Sequence, residues 1–192
     1  LNNFSIIQKA ISGVIFLVSS SVTIHAQQSE NLAEKFLRLL NKFDRDSLSM
    51  IISKDFVLQE PYADIEWTRT GFLDTFVVQS KLINGTFQVV EITAKNKTST
   101  TFLVDDRSDY MTYLRPSNLR WKLTLTIQHN LISSMTSDTT TGYKSYLDDF
   151  IRKHDAFEAW LKINHPDEDE AMLLYNNKIT ARLIEYANKK DQ

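Results

Sequence analysis

Cysteine is absent from this 192-residue chain, and that absence removes several chemistries together. Disulfides, thiolate nucleophiles, cysteine zinc sites and cysteine-linked lipids are all excluded. Glycine is nearly as scarce. Beyond residue 26 only Gly71, Gly85 and Gly142 occur, too far apart to form a phosphate-cradling loop. No serine has glycines in the spacing of a nucleophile elbow. A charge surplus is missing too. The formal net charge is −2 and the pI is about 6.1, with Lys and Arg scattered, so neither nucleic acid nor an anionic membrane is an expected partner. After the leader, histidine is limited to His129, His154 and His165. No pair of them sits at ligand spacing on one helix or strand, so the expectation is no metal and no cofactor.

What is present suffices for one core: 42% of residues are hydrophobic and 11% aromatic. The first 26 residues read as a secretory signal. Lys9 precedes an apolar run over 10–18, serines follow, and Ile24-His25-Ala26 offers a small residue for cleavage. The run is shorter than the roughly 20 apolar residues of a membrane anchor. The expected product is therefore exported, periplasmic or secreted, with no membrane contact after cleavage. Lacking disulfides, it must draw its stability from its core.

Leu32, Phe36, Leu39, Leu40 and Phe43 mark one face of a first helix. Asp44 or Asp46 caps a short second helix through Ile52. Strands are expected over 56–60, ended by Pro61, and over 65–67. A third helix opens at Thr70-Gly71 and buries Phe72, Phe76, Val77 and Leu82. After the Asn84-Gly85 turn, strands over 87–95 and 98–105 flank a reversal at Asn96-Lys97. Loops at 105–108 and 115–118 enclose an expected strand over 110–114. The clearest alternation runs through Trp121, Leu123, Leu125 and Ile127, with polar residues between them. His129-Asn130 then turns the chain into a strand over 131–135. A sheet oily on one face needs cover on that face, and the leading helices supply it.

A composition shift over 137–142 separates this unit from a helical tail. Tyr143, Leu147, Phe150, His154, Phe157 and Leu161 step by fours and threes along one long helix that stops before Pro166. A second helix can start at Asp167. Ile179, Leu183, Ile184 and Ala187 mark a third.

The order helix, helix, short strand, helix and then long antiparallel strands resembles the NTF2-like superfamily, which includes SnoaL-like cyclases and ketosteroid isomerases. The resemblance is carried by Ala33 to Phe36, Phe43-Asp44, Leu48, Phe56 to Pro61, Gly71 to Leu73 and the hairpin from Trp121 to Met135. It implies an α+β fold. A cone of curved antiparallel sheet would be covered by N-terminal helices over 30–137, with a helical extension over 142–192. Its mouth would lie between the helices and the concave sheet face. Members include enzymes, small-molecule binders and protein-binding modules, so the fold leaves function open.

Three readings follow. In the first, Phe36, Trp67, Tyr113 and Trp121 line a pocket for a small apolar or amphipathic ligand, without catalysis. Alternation places Tyr110 and Tyr113 on opposite faces of their expected strand. In the second, Glu60, Tyr62 and Asp64 share one side of an extended segment. A carboxyl dried by aromatic neighbours there shuttles a proton in an isomerase, dehydratase or cyclase. In the third, the tail helices, or a flat polar sheet face of Thr98, Thr100, Thr124, Thr126 and Gln128, serve an interaction such as a homodimer.

Overall fold

A computed structural model describes residues 31–190; the expected signal segment lies outside them. The elements run α1 (Leu32–Leu40), α2 (Arg45–Ile51), β1 (Ile52–Glu60), β2 (Ile65–Thr68) and α3 (Arg69–Gly71). A π-helical turn (Phe72–Phe76) leads into α4 (Val77–Leu82). Then come β3 (Thr86–Lys95), β4 (Ser99–Arg107), α5 (Asp109–Leu114), β5 (Arg120–Gln128) and β6 (Leu131–Thr139). The tail is α6 (Tyr143–Asn164), α7 (Glu170–Tyr175) and α8 (Ile179–Lys190). No helix among the described residues is long and apolar enough to cross a membrane.

The six strands form one mixed sheet in the order β2-β1-β6-β5-β4-β3. β1 runs parallel to β6 and every other pairing is antiparallel. Alternation sends Trp121, Leu123 and Leu125 to the face that Phe36 and Leu40 cover, and all five are buried in one cluster. At its centre Phe36, Phe56 and Phe72 meet, with the Phe56 and Phe72 ring centroids 4.8 Å apart. The Asn31 side chain accepts from the Ala33 amide at 3.0 Å and caps α1. At the other end Asn41 exchanges two 2.8 Å hydrogen bonds with the Phe87 backbone. The covering helix is thereby pinned to the edge strand.

The segment over 110–114 is a helix and not the expected strand. Ser108 accepts from the Met111 amide at 3.3 Å as its N-cap, and Asp109 occupies the first turn. Tyr110, Tyr113 and Leu114 then fall at i, i+3 and i+4, the spacing of one helical face. Both tyrosines consequently turn toward the tail and not to opposite faces of a sheet.

Thr100 also departs from expectation. It shares the concave face with Phe102 and Val104 and is fully buried. Thr101 takes the outer position instead, its hydroxyl 3.1 Å from that of Thr124. The register accounts for this, because Thr100 pairs with the inward-facing Leu125 and Thr101 with Thr124.

The tail helices close a second cluster in which Tyr110 and Leu114 pack with Phe157, Leu161, Leu173, Ile179 and Leu183. Tyr186 fills this cluster, whereas Ile184 points outward. The second tail helix starts slightly later than expected, with Asp169 as its cap. Phe150 packs against both clusters and joins tail to cone.

Candidate active site in the cone

Two strand ends supply the polar chemistry. In β1 the inward positions are Phe56, Leu58 and then Glu60; in β4 they are Phe102, Val104 and then Asp106. Each strand thus finishes its apolar row on a carboxylic acid. Both acids face a cavity of about 290 Å³. Met135 and Ser137 form its floor, Phe76, Ser80 and Ile83 one wall, Tyr110 and Met111 another, and Tyr146 and Phe150 its cover. That cover belongs to α6, so the tail helix completes the cone.

Burial raises the pKa of the Glu60 carboxyl, opposed by the neighbouring Trp67 and Tyr62 side chains. Burial lifts Asp106 further, to about 6, against the Arg107 backbone amide, which favours its charged form. The phenols move the same way. Tyr62 is held protonated first by burial and then by the Glu60 charge, with Asp106 also contributing. Tyr146 is held protonated by burial and then by Asp106. The site thus offers two hydroxyl donors that stay neutral and two carboxyls that keep their protons to higher pH than solvated ones do.

Aromatic packing sets these groups in place. The Tyr62 ring lies 4.9 Å from Trp121 and 5.3 Å from Tyr143. Trp121 meets the Tyr146 ring at 6.1 Å, edge to face. Tyr146 stacks at 6.1 Å on Phe150, and its hydroxyl points at Met111 Sδ, 3.8 Å away. Beyond this partition lies a wider cleft of about 620 Å³, which includes Arg107 and Arg120. Asp106, Met111 and Tyr146 border both spaces.

The sequence-expected residues are distributed as follows. Glu60 and Tyr62 line the cavity. Asp64 is exposed, because 61–64 is a turn and not an extended segment. The Ala63 amide donates to the Glu60 carbonyl at 3.0 Å, and Asp64 takes a left-handed φ of 52°, a conformation Asp tolerates. Phe36 sits in the solid core, where rings fill the space around it. Trp67 packs edge-on against Phe76 at 6.3 Å from the short edge strand β2. Tyr113 packs toward the tail cluster, a consequence of the helix at 109–114. Trp121 is buried at the partition and borders the wider cleft.

Asp106 and Tyr146 are additions, and of the two tyrosines at 110 and 113 it is Tyr110 that borders the cavity. The parity of Thr100, Phe102 and Val104 carries straight on to Asp106, but the run Asp105-Asp106-Arg107-Ser108 reads as loop by composition.

Histidine does find acidic company in the tail. His154, Glu158 and Glu170 bring one ligand atom each within 4.8 Å of one another. Counting histidine pairs alone overlooks this group, which joins two positions of α6 to one of α7. Ordinary bonding already accounts for two of its members: His154 Nε2 lies 3.0 Å from Glu170, which also accepts from the Tyr110 hydroxyl.

No protein-family profile matches the chain, and no curated protein does. Solved structures with a related fold are numerous. A protein described as a SnoaL-like polyketide cyclase from Shewanella putrefaciens superposes with a TM-score of 0.51 at 12% identity, covering 63% of this chain and 94% of its own. PrhC from Penicillium brasilianum gives 0.51 at 12% identity, over 65% of this chain and 86% of its own. A protein with a ketosteroid isomerase-like fold from Catenulispora acidiphila, in complex with trimethylamine, gives 0.50 at 9% identity, over 62% of this chain and 91% of its own. The chain therefore has the α+β fold of the NTF2-like superfamily, carrying three C-terminal helices.

Proposed function

We propose that the protein binds a small amphipathic molecule in the cone cavity beneath α6. The observation that carries this reading is the cavity's division of labour. Rings and aliphatic side chains form most of its walls, while Glu60, Asp106 and the Tyr62 and Tyr146 hydroxyls provide a few polar anchors. Ligand sites are built this way, apolar for affinity with sparse polar groups for orientation. At about 290 Å³ the space suits a guest at the small end of the usual range. Native mass spectrometry of the chain as purified tests the reading. A bound mass lost on replacing Tyr146 with Trp, which fills the cover, is the expected result. An empty protein that takes up no member of a small-molecule library would contradict it.

A second reading, proton transfer on the bound guest, draws support from the two inward carboxyls. Their raised pKa values leave one able to hold a proton while the other accepts. In this reading Tyr62 and Tyr146 donate hydrogen bonds to an oxygen that gains charge. Deuterium exchange next to the carbonyl of small cyclic ketones, lost in both Glu60→Gln and Asp106→Asn, would favour it. Export remains our proposal for the leader, tested by finding an N-terminus just after Ala26 on protein recovered outside the cytoplasm.

A further inference from the structure

We propose that the cavity's guest is a small organic cation, an amine or quaternary ammonium; this rests on the binding reading above and names its ligand class. The lining explains why. Two carboxyls enter the cavity, yet among the described residues no Lys, Arg or His borders it. Arg107 and Arg120 belong to the wider cleft on the far side of the partition, and Arg120 pairs with Asp105 at 3.3 Å. For Asp106 only the Arg107 backbone amide favours the charged form, and for Glu60 only the Trp67 and Tyr62 side chains. The cavity therefore presents two half-buried carboxyls, with no cationic side chain in its own lining.

Such an arrangement is costly unless something positive enters. An anionic guest would add a third negative charge and is selected against. A neutral guest leaves the pair uncompensated. A cation relieves it, and the remaining walls suit one. The Tyr62, Phe76, Phe87, Tyr110, Tyr146 and Phe150 rings surround the space and offer π faces to an alkylammonium group. An inorganic ion would gain little from those rings, which favours a cation clothed in methyl or methylene groups.

Isothermal titration calorimetry of the full chain near pH 7.5 separates the possibilities with two probes of one shape. Choline carries the charge, and 3,3-dimethyl-1-butanol is its neutral carbon analogue. Choline should bind at least ten-fold more tightly. Asp106→Asn and Glu60→Gln should each weaken choline about ten-fold and the alcohol distinctly less. Equal or tighter binding of the alcohol would overturn the cation assignment and leave the binding reading standing. Failure of both probes, with no guest on the purified protein, would overturn both. The comparison of probes on the unmodified chain stands whether or not a variant folds.

Discussion

Asp106, at the end of β4, and Tyr146, in the first turn of the tail helix, face the same cavity, and the Asp106 charge helps keep the Tyr146 phenol protonated. Residues about forty positions apart thus share one electrostatic environment. The helical extension is consequently part of the site's construction, and each prediction below turns on that.

Removing the Tyr146 ring should open the cavity and loosen the tail together. Tyr146 is buried in the cone cluster and touches Trp121 and Phe150. Tyr146→Ala is expected to cost about 3 kcal/mol, the scale of a large-to-small change at a buried ring. Urea denaturation followed by Trp fluorescence measures it. A cost near zero would mean that α6 does not cover the cone.

Asp106 should make stability fall as pH rises across the acidic range. Its folded pKa, about 6, lies above its ordinary value of 3.8. The folded state therefore holds the proton more tightly and loses stability as pH rises from about 4 through 6, by at most about 3 kcal/mol. Asp106→Asn removes that loss. The variant should be more stable than the parent at pH 7.5 by about 1–3 kcal/mol and little changed at pH 4. Denaturation midpoints at the two pH values check this. A stabilising substitution at the proposed ligand anchor is the pattern expected of a site maintained for binding.

His154 predicts a different pH window. Its hydrogen bond to Glu170 raises the ring's pKa above 6.5, opposed by burial and aided by the Glu170 charge. Stability from this pair is complete below the unfolded value and is lost as pH rises through the folded one. Replacing His154 with Gln should flatten the stability profile above about pH 6.5. Amide hydrogen exchange should show α7 opening sooner while β5 and β6 keep their protection.

Phe36 provides a control between core and site. Every ring it touches belongs to the solid cluster. Phe36→Leu should lower the denaturation midpoint by a cost of about 1–3 kcal/mol while leaving probe affinity within two-fold. A large affinity loss in a folded variant would put Phe36 at the guest.

The cone was legible because long patterns constrain it. Trp121, Leu123 and Leu125 alternate over enough residues to define a face, and the α1 stripe repeats over more than two turns. Short pieces carry too little pattern. Tyr110 to Leu114 fits period 2 as readily as one helical turn, and only the Ser108 cap and the acidic first turn discriminate. Asp64 points away from the cavity because Pro61 opens a turn that composition alone does not separate from an extended strand end. Tyr146 is hard to read for a related reason: with Tyr143 and Phe150 it also fits helical spacing, so the sequence alone does not say which stripe faces the cone. Glu60 is legible from its strand. Asp106 lay on an equally regular parity, hidden by three polar neighbours.

Carbon-detected NMR titration of the side-chain carboxyls tests the acidic cavity most directly. Asp106 should titrate near pH 6 and Glu60 above the usual glutamate range. If both ionise at ordinary solvent values, the chamber under α6 is open to water and the binding site described above does not exist.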